Sequence, residues 1–338
     1  MPHRLLNNPR GGAPAKWKVA VIGVGYLGKF HAQKYAQIPE VELVGVVDRI
    51  GERAREWAGR LGTQAYENYR ELIGKVDAVS VVVPTDQHFA IANEFLEGGS
   101  DVLLEKPMAA TLREAEGLIS TAKGCRRVLQ VGHLERFNPA FLAARSRIRA
   151  PYFIEVHRLT TFRGRGVEVD VVLDLMIHDL DILLSLVGTE VEDIQAVGAP
   201  VLTDQVDIAN ARLRFKGGVV ANVTASRISQ EDKRQIRVFQ PEAYVSMDFA
   251  AKKVVVLRRV QNPEGGKIRI EGESVSVEPG DALENEIRLF LQCSRSKTVP
   301  QVTGEDGKRA LALALGVKEE IRKSIKTFPS TPSFFRNP

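Results

Sequence analysis

Along residues 16–135 short apolar runs alternate with stretches whose apolar residues recur at helical spacing. The runs Lys18–Ile22, Glu42–Val47, Ala78–Val83, Val102–Leu104 and Val128–Val131 are β-branched and apolar on both faces, which predicts buried parallel strands. Arg53–Leu61, Phe89–Glu97 and Leu112–Ala122 lie between them and predict helices that cover a sheet. This alternation implies right-handed crossovers and a doubly wound parallel sheet, the α/β class.

The period then changes. Ala209, Ala211, Leu213 and Phe215 alternate with Asn210, Arg212, Arg214 and Lys216; Gly217-Gly218 follows, and alternation resumes over Val219–Ala225. This predicts a hairpin with one buried and one polar face. Strand-like runs follow at Ile236–Phe239, Tyr244–Phe249, Lys253–Leu257 and Ser274–Val277, and a long helix is predicted at Gly304–Lys323. The plan is therefore a flexible arm (1–15), a doubly wound α/β domain (16–135), an α+β domain (136–326) and a tail (327–338).

A length of 338 residues fits about two domains. Lys+Arg 47 against Asp+Glu 42 leaves +5, a small and dispersed excess that suits an anionic small molecule and argues against a nucleic-acid partner. No apolar run approaches the ~20 residues that span a bilayer, and the first residues carry no apolar core of a secretory signal. Cys125 and Cys293 are too few for a disulfide scaffold or a tetrathiolate zinc site, so a cytoplasmic protein without a metal is expected.

The first strand runs into Gly23-Val24-Gly25-Tyr26-Leu27-Gly28. In this pattern the first Gly makes a tight turn, the second admits a pyrophosphate and the third lets helix meet strand, while the following helix aims its N–H groups at the phosphates. Asp48, twenty positions after Gly28 at the end of the second strand, is placed to accept hydrogen bonds from a ribose diol. Its charge opposes a 2′-phosphate and favours NAD over NADP, whereas the neighbouring Arg49 would bind that phosphate. Pro84 and Thr85 end a further strand at the edge where such sheets bind ligands; His88 either edges the nicotinamide or merely opens a helix with an exposed ring.

Two segments carry candidate chemistry. Glu105-Lys106-Pro107 follows a buried run, so Lys106 projects over the carboxyl edge of the sheet, where an ammonium can hold a substrate hydroxyl and stabilise a developing alkoxide. The Lys106–Pro107 bond is a candidate cis peptide. Val171–Asp181 is apolar apart from its acids and one histidine, which predicts a buried helix with Asp174, His178 and Asp181 on one face. Such burial marks either a satisfied structural pair or a functional group.

Together these motifs resemble the Gfo/Idh/MocA oxidoreductases, over nearly the whole chain. The resemblance rests on Gly23–Gly28, on Val83-Pro84-Thr85 with His88, on Glu105-Lys106-Pro107, on Asp174 with His178, and on Gly132-His133-Leu134-Glu135-Arg136-Phe137-Asn138-Pro139 at the domain junction. It implies a first, dinucleotide-binding Rossmann domain, a second, substrate and oligomerisation domain with a large open mixed sheet, subunits paired through those sheets as a homodimer or homotetramer, and Lys106, Asp174 and His178 as the catalytic set. Either Lys106 or His178 can then serve as the base. Within the family, the junction sequence and Asp170-Val171-Val172-Leu173-Asp174 are similar to the branch that oxidises the C3 hydroxyl of UDP-N-acetylglucosamine for lipid A and passes the ketone to a partner aminotransferase. Arg163 and Arg165, in a Gly-rich loop before the catalytic helix, are candidate clamps for the diphosphate, and Arg136 is a further candidate for substrate or domain-junction contacts. Lys106, Glu105 and the Gly-turn residues complete the expected cofactor contacts. The alternatives are a dehydrogenase of a free polyol or aldose such as inositol, and a non-catalytic NAD-binding sensor.

Overall fold

A computed structural model describes residues 16–164, 168–260 and 268–327; the amino-terminal arm, Arg165, Gly166, Val167 and the tail from Phe328 lie outside the described residues. The first domain comprises β1 (Trp17–Ile22), α1 (Gly28–Ala36), β2 (Val41–Val47), α2 (Gly51–Leu61), β3 (Gln64–Tyr66), β4 (Ala78–Val81), α3 (His88–Glu97), β5 (Asp101–Glu105), α4 (Leu112–Gly124) and β6 (Leu129–Gly132). Its six strands lie in the order β3-β2-β1-β4-β5-β6, all parallel. Order reverses between β1 and β4, so the loops after β1, β2, β4, β5 and β6 open onto one edge at a switch point.

The second domain continues with α5 (Pro139–Ala144), β7 (Phe153–Leu159), α6 (Ile177–Val187), β8 (Val191–Ala199), β9 (Ile208–Phe215), β10 (Val220–Ser226), β11 (Lys233–Gln240), β12 (Ala243–Asp248), β13 (Lys253–Val260) and β14 (Arg269–Val275). These strands form one open mixed sheet, β14-β13-β12-β11-β7-β10-β9-β8, in which β7 and β10 run parallel and the other neighbouring strands pair antiparallel. Ala209, Ala211, Leu213 and Phe215 point into a core shared with α6, as their alternation predicts, while Asn210, Arg212 and Arg214 face outward. The hairpin turns through Gly217 and Gly218 at φ of +95° and +91°, a region that disfavours residues bearing a Cβ.

Two features depart from the expected plan. First, α7 (Ala282–Ser296) returns to the first domain: Ile287, Phe290 and Leu291 join a core with Val19, Val21, Tyr35 and Leu103. The division at 135/136 therefore does not bound the first domain. Ile287 and Phe290 are fully buried there, and burial of each such side chain contributes roughly 1.5–3 kcal/mol. The last helix, α8 (Gly304–Thr327), then spans both domains, with Leu311 in the first core and Ala310, Ala314, Val317 and Ile321 in the second. Second, the predicted helix Val171–Asp181 opens with a π-helical turn at Val172–Met176 before α6 begins. Among the described residues no helix is long and apolar enough to cross a membrane, and no cluster of His, Cys, Asp and Glu is arranged to hold a metal ion.

Candidate active site

The Gly turn is built by close contact. A Cβ on Gly28 would stand 1.8 Å from the Gly23 carbonyl oxygen, and one on Gly23, at φ +88°, would stand 2.4 Å from the Val82 carbonyl oxygen. Gly25 differs: a Cβ there would meet only the Arg53 guanidinium, at 4.0 Å. Protein packing thus leaves the space over Gly25 open, as the approach of a pyrophosphate requires. No side chain caps α1 and no acid stands in its first turn, so its amino end stays available to an anion. Tyr26 and Leu27 lie largely exposed at this mouth. The residues present therefore fit a dinucleotide.

Asp48 ends β2 with its carboxylate fixed from below: Oδ2 accepts from the Val24 amide at 3.2 Å and Oδ1 from the Ile50 amide at 3.0 Å. Arg53, on α2, closes over the same carboxylate at 3.2 Å. Arg49 is exposed to solvent, so the arginine beside Asp48 is Arg53, which lay one helical turn beyond the expected position. Pro84 is exposed and Thr85 half-buried at the exit of β4, on the edge facing this mouth.

At the next exits the two domains meet. The Lys106–Pro107 peptide bond is cis. The Lys106 ammonium donates to the Asp174 backbone carbonyl at 2.7 Å and stands 3.5 Å from that residue's carboxylate. Asp174 lies inside the π-helical turn, and His178 follows on α6. The His178 Nδ1 is covered and has no hydrogen-bond partner, while part of the residue remains exposed. Burial, then the positive charges of Lys106 and Arg158, hold the His178 pKa well below the usual 6.5. At neutral pH its imidazole is uncharged and ready to take a proton.

Other expected site residues are engaged elsewhere. Asp181 does not join Asp174 and His178 as a free acid: it takes a bidentate pair from Arg136, at 2.7 and 3.0 Å. Arg136 also approaches Asp306 at 3.6 Å and is buried, so its guanidinium is spent on protein carboxylates and not offered to substrate. Glu105 turns inward, 3.3 Å from His31 Nε2, and accepts from the Lys106 amide. Burial raises the Glu105 pKa, but His31 and Lys106 outweigh it and hold the carboxyl below its usual range. The His88 ring is neither exposed nor in the cleft; both its nitrogens face backbone carbonyls. Arg163 is half-exposed and pairs with the equally exposed Asp232 at 2.6 Å. Arg165 lies outside the described residues.

Three groups escaped the sequence reading. His133, at the end of β6, is buried with both nitrogens unpartnered, its ring edge-on to His178 at 6.4 Å between centroids. Arg158, at an inward position of β7, forks onto Asp179 at 2.7 and 2.8 Å and onto Glu135 at 2.9 Å, beneath His178. Glu286, on α7, is fully buried and neither carboxyl oxygen has a partner; burial, then the charge of Glu105, pushes its pKa well above the usual value. The readable signals were an Arg on the apolar phase of a strand and a Glu beside Ile287 and Phe290 on a helix stripe.

The chain is similar to known proteins over most of its length. The oxidoreductase family with an NAD-binding Rossmann fold, GFO_IDH_MocA, matches residues 17–133, and the GFO/IDH/MocA C-terminal domain matches residues 144–246. UDP-N-acetylglucosamine 3-dehydrogenase of Acidithiobacillus ferrooxidans is 40% identical over 312 residues, covering 92% of this chain and 98% of that protein. Myo-inositol 2-dehydrogenase of Thermotoga maritima is 28% identical, covering 91% and 98%. A crystal structure of the Acidithiobacillus enzyme superposes with a TM-score of 0.86 at 38% identity, over 92% of this chain and 99% of that one.

Proposed function

The chain belongs to the GFO/IDH/MocA family of NAD-binding oxidoreductases, and from that premise we propose that it oxidises the C3 hydroxyl of UDP-N-acetylglucosamine to a ketone. The observation that carries the chemistry is the meeting of Lys106 with Asp174 and His178 across the two domains. The nucleotide-sugar assignment is supported by 40% identity over nearly full length to a UDP-N-acetylglucosamine 3-dehydrogenase, against 28% to an inositol dehydrogenase.

NAD, when bound on the Gly turn with its ribose on Asp48, supplies the hydride acceptor. The chain's own residues do the rest. Lys106, oriented by the Asp174 carbonyl, holds the reacting hydroxyl and favours its alkoxide. His178 takes the hydroxyl proton at Nε2, being uncharged at neutral pH. The half-buried Asp174 carboxylate accepts a second substrate hydroxyl. Arg163, with Arg165, grips the diphosphate.

The 3-keto product calls for a consuming aminotransferase, and the polar outer face of the mixed sheet, with Arg212 bonded to Asn222 at 3.0 Å, suits pairing of like subunits as a dimer or tetramer. The unpaired Cys125 and Cys293 accord with a cytoplasmic enzyme. The inositol relative supports a second reading, oxidation of a free polyol; a mere NAD-binding sensor leaves the Lys106–Asp174–His178 arrangement without a use.

A panel of UDP-sugars and free polyols, each with NAD and NADP and followed by reduced-nicotinamide absorbance, tests the assignment. UDP-N-acetylglucosamine turnover, increased by an aminotransferase with its amine donor, is expected. Polyol turnover, with no thermal protection by UDP, would replace this reading with the second.

A further inference from the structure

Strands β4 and β5 are parallel neighbours that leave the sheet at the same edge, the first through Val83-Pro84 and the second through Lys106-Pro107. Pro84 and Pro107 have no amide hydrogen, so neither can donate a backbone bond to the other exit. The carbonyls of Val83 and Pro107 nevertheless face one imidazole, whose uncharged form carries a single N–H. The turn Thr85–Gln87 folds the chain back and buries the His88 ring, 1% exposed, between them. Its Nδ1 is 2.8 Å from the Pro107 oxygen and its Nε2 is 2.9 Å from the Val83 oxygen.

We propose that His88 is the positioning residue of Lys106: the single N–H of the uncharged ring, carried on Nδ1 and donated to the Pro107 carbonyl, fixes the turn that aims the ammonium across the domains, while the bare Nε2 edge packs at the exit of β4 without a hydrogen bond. The proposal rests on the reading of Lys106 given above. Its force comes from the reach of Lys106, whose single 2.7 Å contact with the Asp174 carbonyl joins a turn in one domain to a turn in the other. A shift of the turn by about 1 Å removes that contact, and displacements of this size are enough to lower turnover about a hundred-fold. The imidazole is itself buried, so it acts through Lys106.

A histidine that only fills the core and one that aims Lys106 respond differently to the two amide replacements. Asn puts its amide nitrogen where Nδ1 stands and keeps the Pro107 arm; Gln puts it where Nε2 stands and loses that arm. We expect H88N to stay within a few-fold of wild-type kcat. H88Q and H88F should lose about ten- to hundred-fold in kcat, with the calorimetric Kd for NAD and the unfolding midpoint close to wild type. Wild-type kcat in H88F, or an equal fall in H88N and H88Q, overturns the proposal. K106A is the control: if it retains turnover, the reading of Lys106 itself fails, whereas an inactive K106A beside an active H88F removes His88 alone. Should the variants not fold, nitrogen-15 NMR of the wild-type ring decides. A slowly exchanging proton on Nδ1 supports the clamp, and an unprotonated Nδ1 overturns it.

Discussion

Lys106 donates a 2.7 Å hydrogen bond to the backbone carbonyl of Asp174. One residue ends a strand of the nucleotide-binding sheet; the other lies in the π-helical turn that leads into the His178 helix of the second domain. The contact joins two turns separated by 68 positions, and the Lys106 charge helps to hold the His178 pKa down.

Removing either group should stop the reaction without emptying the nucleotide site. K106A and H178A are expected to lose about 10²–10⁴-fold in kcat, the range of a positioned acid–base group, while the Kd for NAD stays near wild type because Asp48 and the Gly turn are untouched. Because the His178 pKa lies well below 6.5, the acid limb of kcat/KM should fall well below the ordinary imidazole range. An NMR titration of His178 in K106M should show its midpoint raised, since a repelling charge has been removed. An unmoved midpoint would contradict this account.

On the proposed reading, Asp48 and Arg53 together set cofactor choice. The carboxylate opposes a 2′-phosphate, but the Arg53 guanidinium at 3.2 Å would welcome one once that carboxylate is gone. D48S is therefore expected to raise kcat/KM for NADP and lower it for NAD, each about tenfold or more, and the added R53A change should cancel the NADP gain. Steady-state kinetics with both nucleotides checks this.

Arg163 tests the nucleotide sugar. Its pair with Asp232 is exposed, and such pairs contribute only about 0–1 kcal/mol, so a diphosphate competes easily for the guanidinium. R163A should raise KM for a UDP-sugar about tenfold or more, the loss of roughly 1.4 kcal/mol of charge-assisted bonding, with kcat little changed. An unchanged KM would mean that the loop does not hold the substrate.

Glu286 predicts a pH-dependent stability. Its folded pKa is raised, so above the unfolded value near 4.5 the folded state keeps a proton that the unfolded state releases. The stabilisation is complete below that value and is lost as pH rises toward the folded pKa. E286Q, neutral at every pH, should unfold at a higher temperature than wild type at pH 7 and at a similar temperature near pH 4. Parallel curves for the two proteins would refute the buried acid.

Much of this was legible in the chain. The Gly turn, the strand ending in Asp48 and the lysine after a buried run are local patterns, and local sterics dictates their placement. The alternation of Ala209–Phe215 gave its strand because one face is buried and the other is not. What stayed hidden depends on partners far along the chain. Arg136 reads equally as a substrate or a junction contact until Asp181 is brought beside it, 45 positions later. Asp174, His178 and Asp181 share a helical face by spacing, yet spacing says nothing of which acid is already neutralised. The fate of α7 was equally invisible, because an amphipathic stripe states that a face is buried and not which sheet buries it.

That helix has a practical meaning for anyone who would excise the nucleotide-holding lobe. A fragment ending near residue 135 would expose Val19, Tyr35 and Leu103 where Phe290 and Ile287 belong. The core of that lobe therefore closes only once nearly three hundred residues have been made, so the dinucleotide platform and the cleft above it are completed together.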